Sequence, residues 1–110
     1  MGTEIRLSHQ GIRVLKALLD QHERDVRARL SGADVMRIVG LQSGTVYPLL
    51  LRFETHGIVE SDWEEQPPEK LGRPRRRLYR LTAVGISTAQ SVLSELVSAS
   101  FLTSPDPVTP

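Results

Sequence analysis

Residues 31–57 read SGADVMRIVGLQSGTVYPLLLRFETHG, and the pattern of this segment indicates the fold. Its first part places Ser31 and Asp34 at capping-box spacing and reaches Gly40, which predicts a short helix that ends at a glycine. Its second part runs to Gly57 and carries apolar residues at the i, i+3, i+4 and i+7 spacing of a helix: Val46, Leu49, Leu50 and Phe53. Two short helices joined by about three residues that include glycine are typical of a helix-turn-helix.

Pro48 complicates the second of these helices. A proline has no amide hydrogen to donate, and its ring strains the carbonyl group four residues before it. Either the helix begins near Thr45, which leaves Pro48 in the first turn, or the helix bends at Pro48. Both alternatives stay open from the sequence.

The residues before this stretch predict one more helix and one short strand. Residues 8–22 have Ser8 as a cap and apolar residues at helical spacing, namely Ile12, Leu15, Leu18 and Leu19. Residues 23–30 alternate apolar and charged side chains, which favours a short edge strand.

A β-hairpin is predicted after the helix-turn-helix. Residues 58–65 alternate in the way of a strand with one apolar and one acidic face. The prolines and glycine between positions 67 and 74 cannot continue a ladder and predict a long loop, after which residues 76–81 return as a second strand. Residues 59–81 are therefore expected to form the wing of a winged helix.

Charge is concentrated in this hairpin, although the whole chain carries a net charge of only +1. Six of the 14 basic residues lie between positions 70 and 80, and no acid lies between Glu69 and Glu95. Acidic residues directly precede the basic block. Pairing of the two strands would therefore partly neutralise the acidic and basic charges at the base of the hairpin. Unpaired positive charge is then expected at the tip, over residues 70–76. Such a cluster is either a solvated charge run or a nucleic-acid contact.

A last helix is predicted over residues 82–102, with Thr82 as its cap. Glu95 is the only charged residue between positions 81 and 105, so this helix is expected to bury more than one face. It either packs on the first helix within a monomer or forms the interface of a twofold homodimer, which we favour. The predicted dimer contacts are Ile86, Ala89, Leu93, Leu96 and Val97. Residues 103–110, with three prolines, are expected to be a disordered tail.

Composition excludes several classes of protein. A chain of 110 residues makes one domain, and the absence of cysteine removes disulfides, thiolate nucleophiles and Cys-containing zinc sites. The three histidines have no i, i+3 or i+4 spacing, so neither a metal nor a cofactor is expected. Without a nucleophile elbow or a glycine-rich phosphate loop, the chain is not expected to be an enzyme. No apolar run resembles a membrane span or a signal peptide, so we expect a cytoplasmic protein without membrane contact.

The order of elements predicts a mainly α fold with a small β-hairpin, an α+β arrangement. Residues 1–81 are expected to form a winged helix-turn-helix domain with a recognition helix at about 43–56, followed by the dimerisation helix. In such domains the second helix enters the major groove of DNA, and a basic wing can reach the adjacent minor groove. The predicted DNA-binding residues are Gln42, Ser43, Thr45, Tyr47, Arg52, Lys70, Arg73, Arg75, Arg76 and Arg77.

Three further side chains have alternative interpretations. The ring of Tyr47 can touch DNA, cover the flank of the core, or do both. Leu51 is an apolar residue on the outer face of the predicted recognition helix, where it would contact a thymine methyl group or a neighbouring subunit. Trp63 is expected to pack on Tyr79 within the hairpin.

Several segments together resemble the PadR family of bacterial transcriptional regulators. They are Leu41–Leu50, Phe53-Glu54, His56–Glu60, Trp63, Gly72–Arg75 and Leu78–Thr82, in the family's order. The resemblance implies a recognition helix over residues 42–56 and a wing over residues 61–81. The chain departs from the family at Gln42-Ser43, where Ser-Pro is common, and its C-terminal region is a single short helix.

The resemblance also implies a function. It predicts a repressor that dimerises through its C-terminal helix, binds double-stranded DNA at an inverted-repeat operator, and is released by a small hydrophobic or aromatic effector. It names no effector-binding residues, and Trp63 is the candidate, through stacking on an aromatic effector. The alternative is a protein-interaction module, in which the basic hairpin binds an acidic protein partner and no DNA operator exists.

Overall fold

A computed structural model describes the backbone of residues 7–103 and the side chains of residues 7–98. This part of the chain contains five helices and three strands. In chain order they are α1 (His9–Arg24), β1 (Leu30–Ser31), α2 (Gly32–Val39), α3 (Ser43–Thr55), β2 (Val59–Trp63), α4 (Pro68–Leu71), β3 (Arg77–Leu81) and α5 (Ala83–Thr103). The predicted fold class is confirmed: a mainly helical winged helix-turn-helix with a small antiparallel sheet. The predicted tail falls almost wholly outside the described residues.

Local signals in the sequence set both ends of α2. The Ser31 hydroxyl accepts a hydrogen bond from the Asp34 amide, and the Asp34 carboxylate accepts one from the Ser31 amide, each at 3.0 Å. Gly40 follows the helix with φ at 71°, the left-handed conformation that a glycine adopts without cost. The predicted capping box and C-terminal glycine are thus confirmed.

The three strands form an antiparallel sheet in the order β1-β3-β2. β3 lies in the middle, where Tyr79 pairs with Leu30 on one side and with Ser61 on the other. The strand predicted over residues 23–30 is wrong in extent, since α1 continues through Arg24 and only Leu30 and Ser31 pair with β3. The connection turns locally instead, because the Asp25 carboxylate accepts a hydrogen bond from the Arg27 amide at 3.0 Å.

The core lies between α1, α2, α3 and the sheet, and the start of α5 packs against it. α3 contributes Val46, Leu50 and Phe53, each with no exposed surface. At about 25 cal/mol per Å² of apolar area removed from water, burial of these side chains is what holds α3 in place. α3 is fixed along one stripe, and its opposite side stays exposed.

Two features differ from the sequence expectations. α3 begins at Ser43, so Pro48 lies inside the helix and the alternative start near Thr45 is wrong. The predicted loop between the wing strands contains the one-turn helix α4, with Pro68 at its first position and Gly72 at φ of 70° after it. Proline fits the first turn because the amides of that turn have no intrahelical acceptor, so no hydrogen bond is lost when the amide hydrogen is absent.

None of the helices in the described part of the chain is long and apolar enough to cross a membrane.

Candidate nucleic-acid interface

The outward face of α3 is the first part of the candidate interface. Tyr47 has 44% of its surface exposed and Leu51 has 65%. Arg52 is exposed, and its side chain makes no hydrogen bond or ion pair within residues 7–98. These side chains and the start of α3 therefore form a continuous accessible surface along the helix.

The N-terminus of α3 leaves hydrogen-bonding groups available to a ligand. Gln42 is the cap residue, and its backbone carbonyl accepts from the amides of Thr45 and Val46 at 3.0 Å. The Gln42 side chain makes no capping hydrogen bond and is exposed, as is Ser43, while Thr45 is half-buried. The positive end of the helix dipole lies at the same point, which favours a phosphate group there.

Arg73 closes the wing by an ion pair. Its guanidinium donates two hydrogen bonds to the Glu64 carboxylate, at 2.6 and 3.0 Å, and the Arg76 amide donates a third at 2.9 Å. The side chain of Arg73 is 32% exposed and that of Glu64 is 18% exposed. The expectation that the cations at the tip are unpaired is wrong for Arg73, because the loop folds back far enough to bring Glu64 to it.

Arg77 is held inside the wing by several contacts. It donates to the Ser61 hydroxyl at 2.8 Å, and its guanidinium lies 3.8 Å from the carboxylate of Glu54 on α3. It also stacks 5.1 Å from the centre of the Trp63 ring, a cation–π distance. The strand register places Arg77 opposite Trp63 and Tyr79 opposite Ser61, so the direct neighbour of the tryptophan is Arg77.

Three further cations of the wing are accessible, whereas Arg80 is paired with Glu60. Lys70, Arg75 and Arg76 are exposed. Arg75 donates to the Gln66 carbonyl at 3.1 Å, whereas the side chains of Lys70 and Arg76 make no hydrogen bond or ion pair within the described residues. These three side chains carry the charge that the wing can offer to a ligand.

A cleft joins the recognition helix, the wing and the start of α2. It has a volume of about 230 Å³ and is lined by Ser31, Gly32, Ala33, Tyr47 and the three arginines Arg75–Arg77. The Tyr47 ring lies against Gly32 so closely that a Cβ added there would come within 2.5 Å of its hydroxyl. Tyr47 thus covers the flank of the core and faces the cleft at once. The sequence alone did not indicate Gly32 and Ala33, which line this cleft only in the folded chain.

Comparison with known families identifies this arrangement. A family model described as the transcriptional regulator PadR-like family matches residues 14–91, which is more than half of the chain. The chain belongs to the PadR-like family of transcriptional regulators. Its family and fold are those of regulators, which are generally not enzymes. Among curated proteins, none matches the chain.

Three solved structures, two of them of transcription regulators, have the same fold as this PadR-like chain. MepR of Staphylococcus aureus, solved in complex with DNA, is 19% identical with a TM-score of 0.64, over 86% of this chain and 68% of that chain. PcaV of Streptomyces coelicolor, solved with its natural ligand, is 20% identical with a TM-score of 0.69, over 92% and 64%. AF1382 of Archaeoglobus fulgidus is 17% identical with a TM-score of 0.65, over 84% and 90%. At these identities the similarity concerns the fold.

The residues predicted for dimerisation divide into two groups in the PadR-like fold. Ala89 is fully buried in the core of its own chain, and Ile86 and Leu93 pack partly against that core. Leu96 and Val97 lie further along α5 and are 43% and 68% exposed. Among the described side chains of α5, the large apolar ones that are exposed therefore lie in its later turns and at its start, where Val84 is 61% exposed.

The Arg73–Glu64 pair makes the wing sensitive to acid. The hydrogen bond from Arg73, followed by that from the Arg76 amide, lowers the pKa of Glu64 from 4.5 to about 2. Because the pKa in the folded chain is the lower one, the stabilisation is complete above pH 4.5 and is lost as the pH falls towards 2. We expect the fluorescence of Trp63, the only tryptophan, to report this change between pH 5 and 2 in the wild type.

Glu64→Gln should remove that acid transition, and the emission of the variant should already differ from the wild type at pH 7. Glu65→Gln is the matched control, since Glu65 is the adjacent acid, is exposed and makes no ion pair in the described part of the chain. An unchanged acid transition in Glu64→Gln would show that Glu64 does not hold the wing.

Proposed function

We propose that this PadR-like chain is a homodimeric repressor that binds an inverted-repeat operator in double-stranded DNA. The α3 helix would enter the major groove, and the wing would contact the adjacent backbone and minor groove. The observation that carries the proposal is the cleft in which Tyr47 of α3 meets Arg75, Arg76 and Arg77 of the wing. A duplex lying along α3 would meet the cations of the wing at that cleft.

The charges support binding to a phosphate backbone. The net charge is only +1, but α3 and the wing expose the cations Arg52, Lys70, Arg75 and Arg76. Three acids of the hairpin are instead paired with other cations, and one of these pairs is Glu64 with Arg73. Glu60 binds Arg80 at 2.6 Å and Asp62 binds Arg29 at 3.2 Å. Repulsion between DNA and the acids of the wing is thereby reduced.

Binding to the DNA upstream of the protein's own gene tests the proposal. We expect a specific duplex to be bound more tightly than a scrambled duplex of the same composition, as measured by gel shift or fluorescence anisotropy. The slope of log K against log salt should be about −5 for a dimer that makes roughly three phosphate contacts per subunit. Equal binding of both duplexes, or a slope near zero, would contradict the proposal. Binding to an acidic protein in place of DNA would favour the interaction-module alternative.

The proposed homodimer uses the exposed apolar side of α5. Only Glu95 is charged in the described side chains of α5, and Leu96 and Val97 stand exposed two turns beyond the buried Ala89. Two recognition helices one DNA turn apart, about 34 Å, are needed to read both halves of an inverted repeat. Pairing of α5 with its copy would bury these apolar groups and supply the second helix.

Val97→Asp should convert the dimer into a monomer in sedimentation at micromolar concentration, because an unpaired carboxylate would be buried at the interface. Val26→Asp is the matched control, since Val26 is 65% exposed on the connection between α1 and β1. A wild-type protein that stays at 12.3 kDa, alone and with operator DNA, would contradict the dimer.

A small hydrophobic or aromatic effector remains part of the proposed function. Trp63 is 54% exposed, and Arg77 covers one face of its ring. The other face would be available for stacking by an aromatic ligand. Quenching of Trp63 emission by such a ligand, together with release of DNA, is the expected result.

As a promoter-bound repressor, the protein would act in the cytoplasm beside the chromosome.

A further inference from the structure

The outward face of α3 carries no free side-chain hydrogen-bond donor along its centre line. Residues 44, 48, 51 and 55 share the side opposite the buried Val46, Leu50 and Phe53, and all four are exposed. They are glycine, proline, leucine and threonine. The polar side chains that could reach bases, such as Arg52 and Thr45, lie at the flanks or at the start of the helix.

The one hydroxyl on this line is already used. Thr55 donates its hydrogen to the Leu51 carbonyl at 2.9 Å, which leaves its methyl group directed away from that bond. Pro48 has no amide hydrogen, so the Gly44 carbonyl lacks the donor that it would normally have four residues along the helix. The centre line therefore presents apolar groups and one additional acceptor.

Gly44 adds a second, independent observation. A Cβ built at this position would meet nothing within 4 Å in the folded chain, so neither packing nor backbone conformation explains the glycine. Glycine inside a helix costs stability relative to alanine. Its absence of a side chain instead allows the helix backbone to approach a surface that lies outside the protein.

The charged residues around this face indicate which ligand it binds. The exposed cations Arg52, Arg75 and Arg76 belong to α3 and the wing and can hold phosphates on either side of the apolar line. In the major groove, guanine presents two acceptors that call for protein donors, whereas thymine presents a C5-methyl group that calls for an apolar contact. A donor-free apolar line between cations complements thymine.

We propose that α3 reads its operator through thymine methyl groups, with Leu51 and Pro48 as the apolar contacts and Gly44 permitting the close approach. This inference rests on the proposed function and deepens it by naming the base feature that is recognised. Leu51, with 65% of its surface exposed, is the residue that determines specificity.

Replacement of thymine by deoxyuridine tests the proposal, because it removes only the methyl group. The probe is a bound duplex selected from a random-sequence library, in which the thymines of one half-site are replaced one at a time. At one or more positions the Kd should rise about fourfold, the value expected for one buried methyl group, and at others it should not change. Specific binding that is indifferent to every replacement would overturn the inference and leave the proposed function standing. Failure to bind any duplex would overturn both.

Variants assign the effect to the helix face. At the thymine that Leu51 contacts, Leu51→Ala should reduce the ratio of the Kd with uracil to the Kd with thymine from about four towards one. Leu51→Met keeps an apolar side chain and should therefore restore this ratio. Val26→Ala is the matched control, since Val26 is equally exposed but lies away from α3. If Leu51→Ala left the ratio unchanged and altered only the oligomeric state, the face would be a protein contact and the inference would be wrong.

Gly44→Ala separates DNA contact from folding. The free protein should become slightly more stable, with a Tm about 2–4 °C higher, because the site is open and alanine favours the helix. Binding to the same duplex should nevertheless weaken severalfold. Unchanged binding in a stabilised variant would overturn the role of Gly44 in close approach.

Discussion

Gly85→Ala is expected to lower the free energy of unfolding by about 3 kcal/mol, which is a large fraction of the stability of a domain of this size. A Cβ at Gly85 would overlap the carbonyl oxygen of Ile58 and lie 2.8 Å from its carbonyl carbon. The obstacle is a backbone carbonyl group, which cannot rotate away as a side chain can. The same carbonyl accepts the Thr82 amide at 3.0 Å, so displacing it would also loosen the start of α5. Thermal unfolding should show a fall in Tm of about 12 °C or more.

Gly44→Ala is the matched control for this measurement. It makes the same chemical change in another helix, at a site where a Cβ meets nothing within 4 Å. Its Tm should stay at or slightly above that of the wild type. A Gly85→Ala protein with the wild-type Tm would show that α5 does not pack against the Ile58 backbone.

Loss of the two outermost wing arginines should have the largest effect on DNA affinity. The double variant Arg75→Ala/Arg76→Ala removes two exposed guanidinium groups from each wing. Each phosphate contact contributes about 0.9 to the salt slope, or about eightfold in affinity between 0.1 and 1 M salt. We therefore expect about 60-fold weaker binding per half-site at 0.1 M salt. Because the dimer has two wings, its salt slope should be reduced by about 3.6. The loss should be similar for all sequences if these arginines contact phosphates.

The double variant Arg24→Ala/Arg27→Ala removes the same charge from the end of α1 and the connection that follows it. It controls for the change in net charge and should leave the salt slope almost unchanged. Equal losses in both double variants would mean that long-range charge, and not wing contact, governs binding. A changed sequence preference in the wing variant would assign its arginines to base or shape readout.

Much of the helix-turn-helix was predictable because its signals act within one or two turns. Ser31, Asp34 and Gly40 cap α2 through bonds between residues at most four positions apart. The apolar spacing in α3 identified its inward side, and the buried Val46 and Phe53 confirm it. Such signals need no knowledge of the rest of the chain.

Other parts of the site depended on partners far apart in sequence. The alternation in residues 23–30 predicted a strand, but β3 offers a partner only to Leu30 and Ser31. The basic tip was predictable as a cluster, yet no local rule selects Glu64 as the acid that pairs with Arg73. α4 was missed because the prolines and glycines were interpreted only as breaks in a ladder.

Four of the five helices, the capping of α2, the basic character of the hairpin and the family resemblance could all be predicted from the amino-acid sequence. The accessibility of each arginine, the contact of Tyr47 with Gly32 and the position of Arg77 against Trp63 depend on the folded arrangement of the chain. The physical reason is the range of the interactions. Caps and helical periodicity act between neighbours along the chain, whereas ion pairs and close backbone contacts depend on strand register and on how the elements pack.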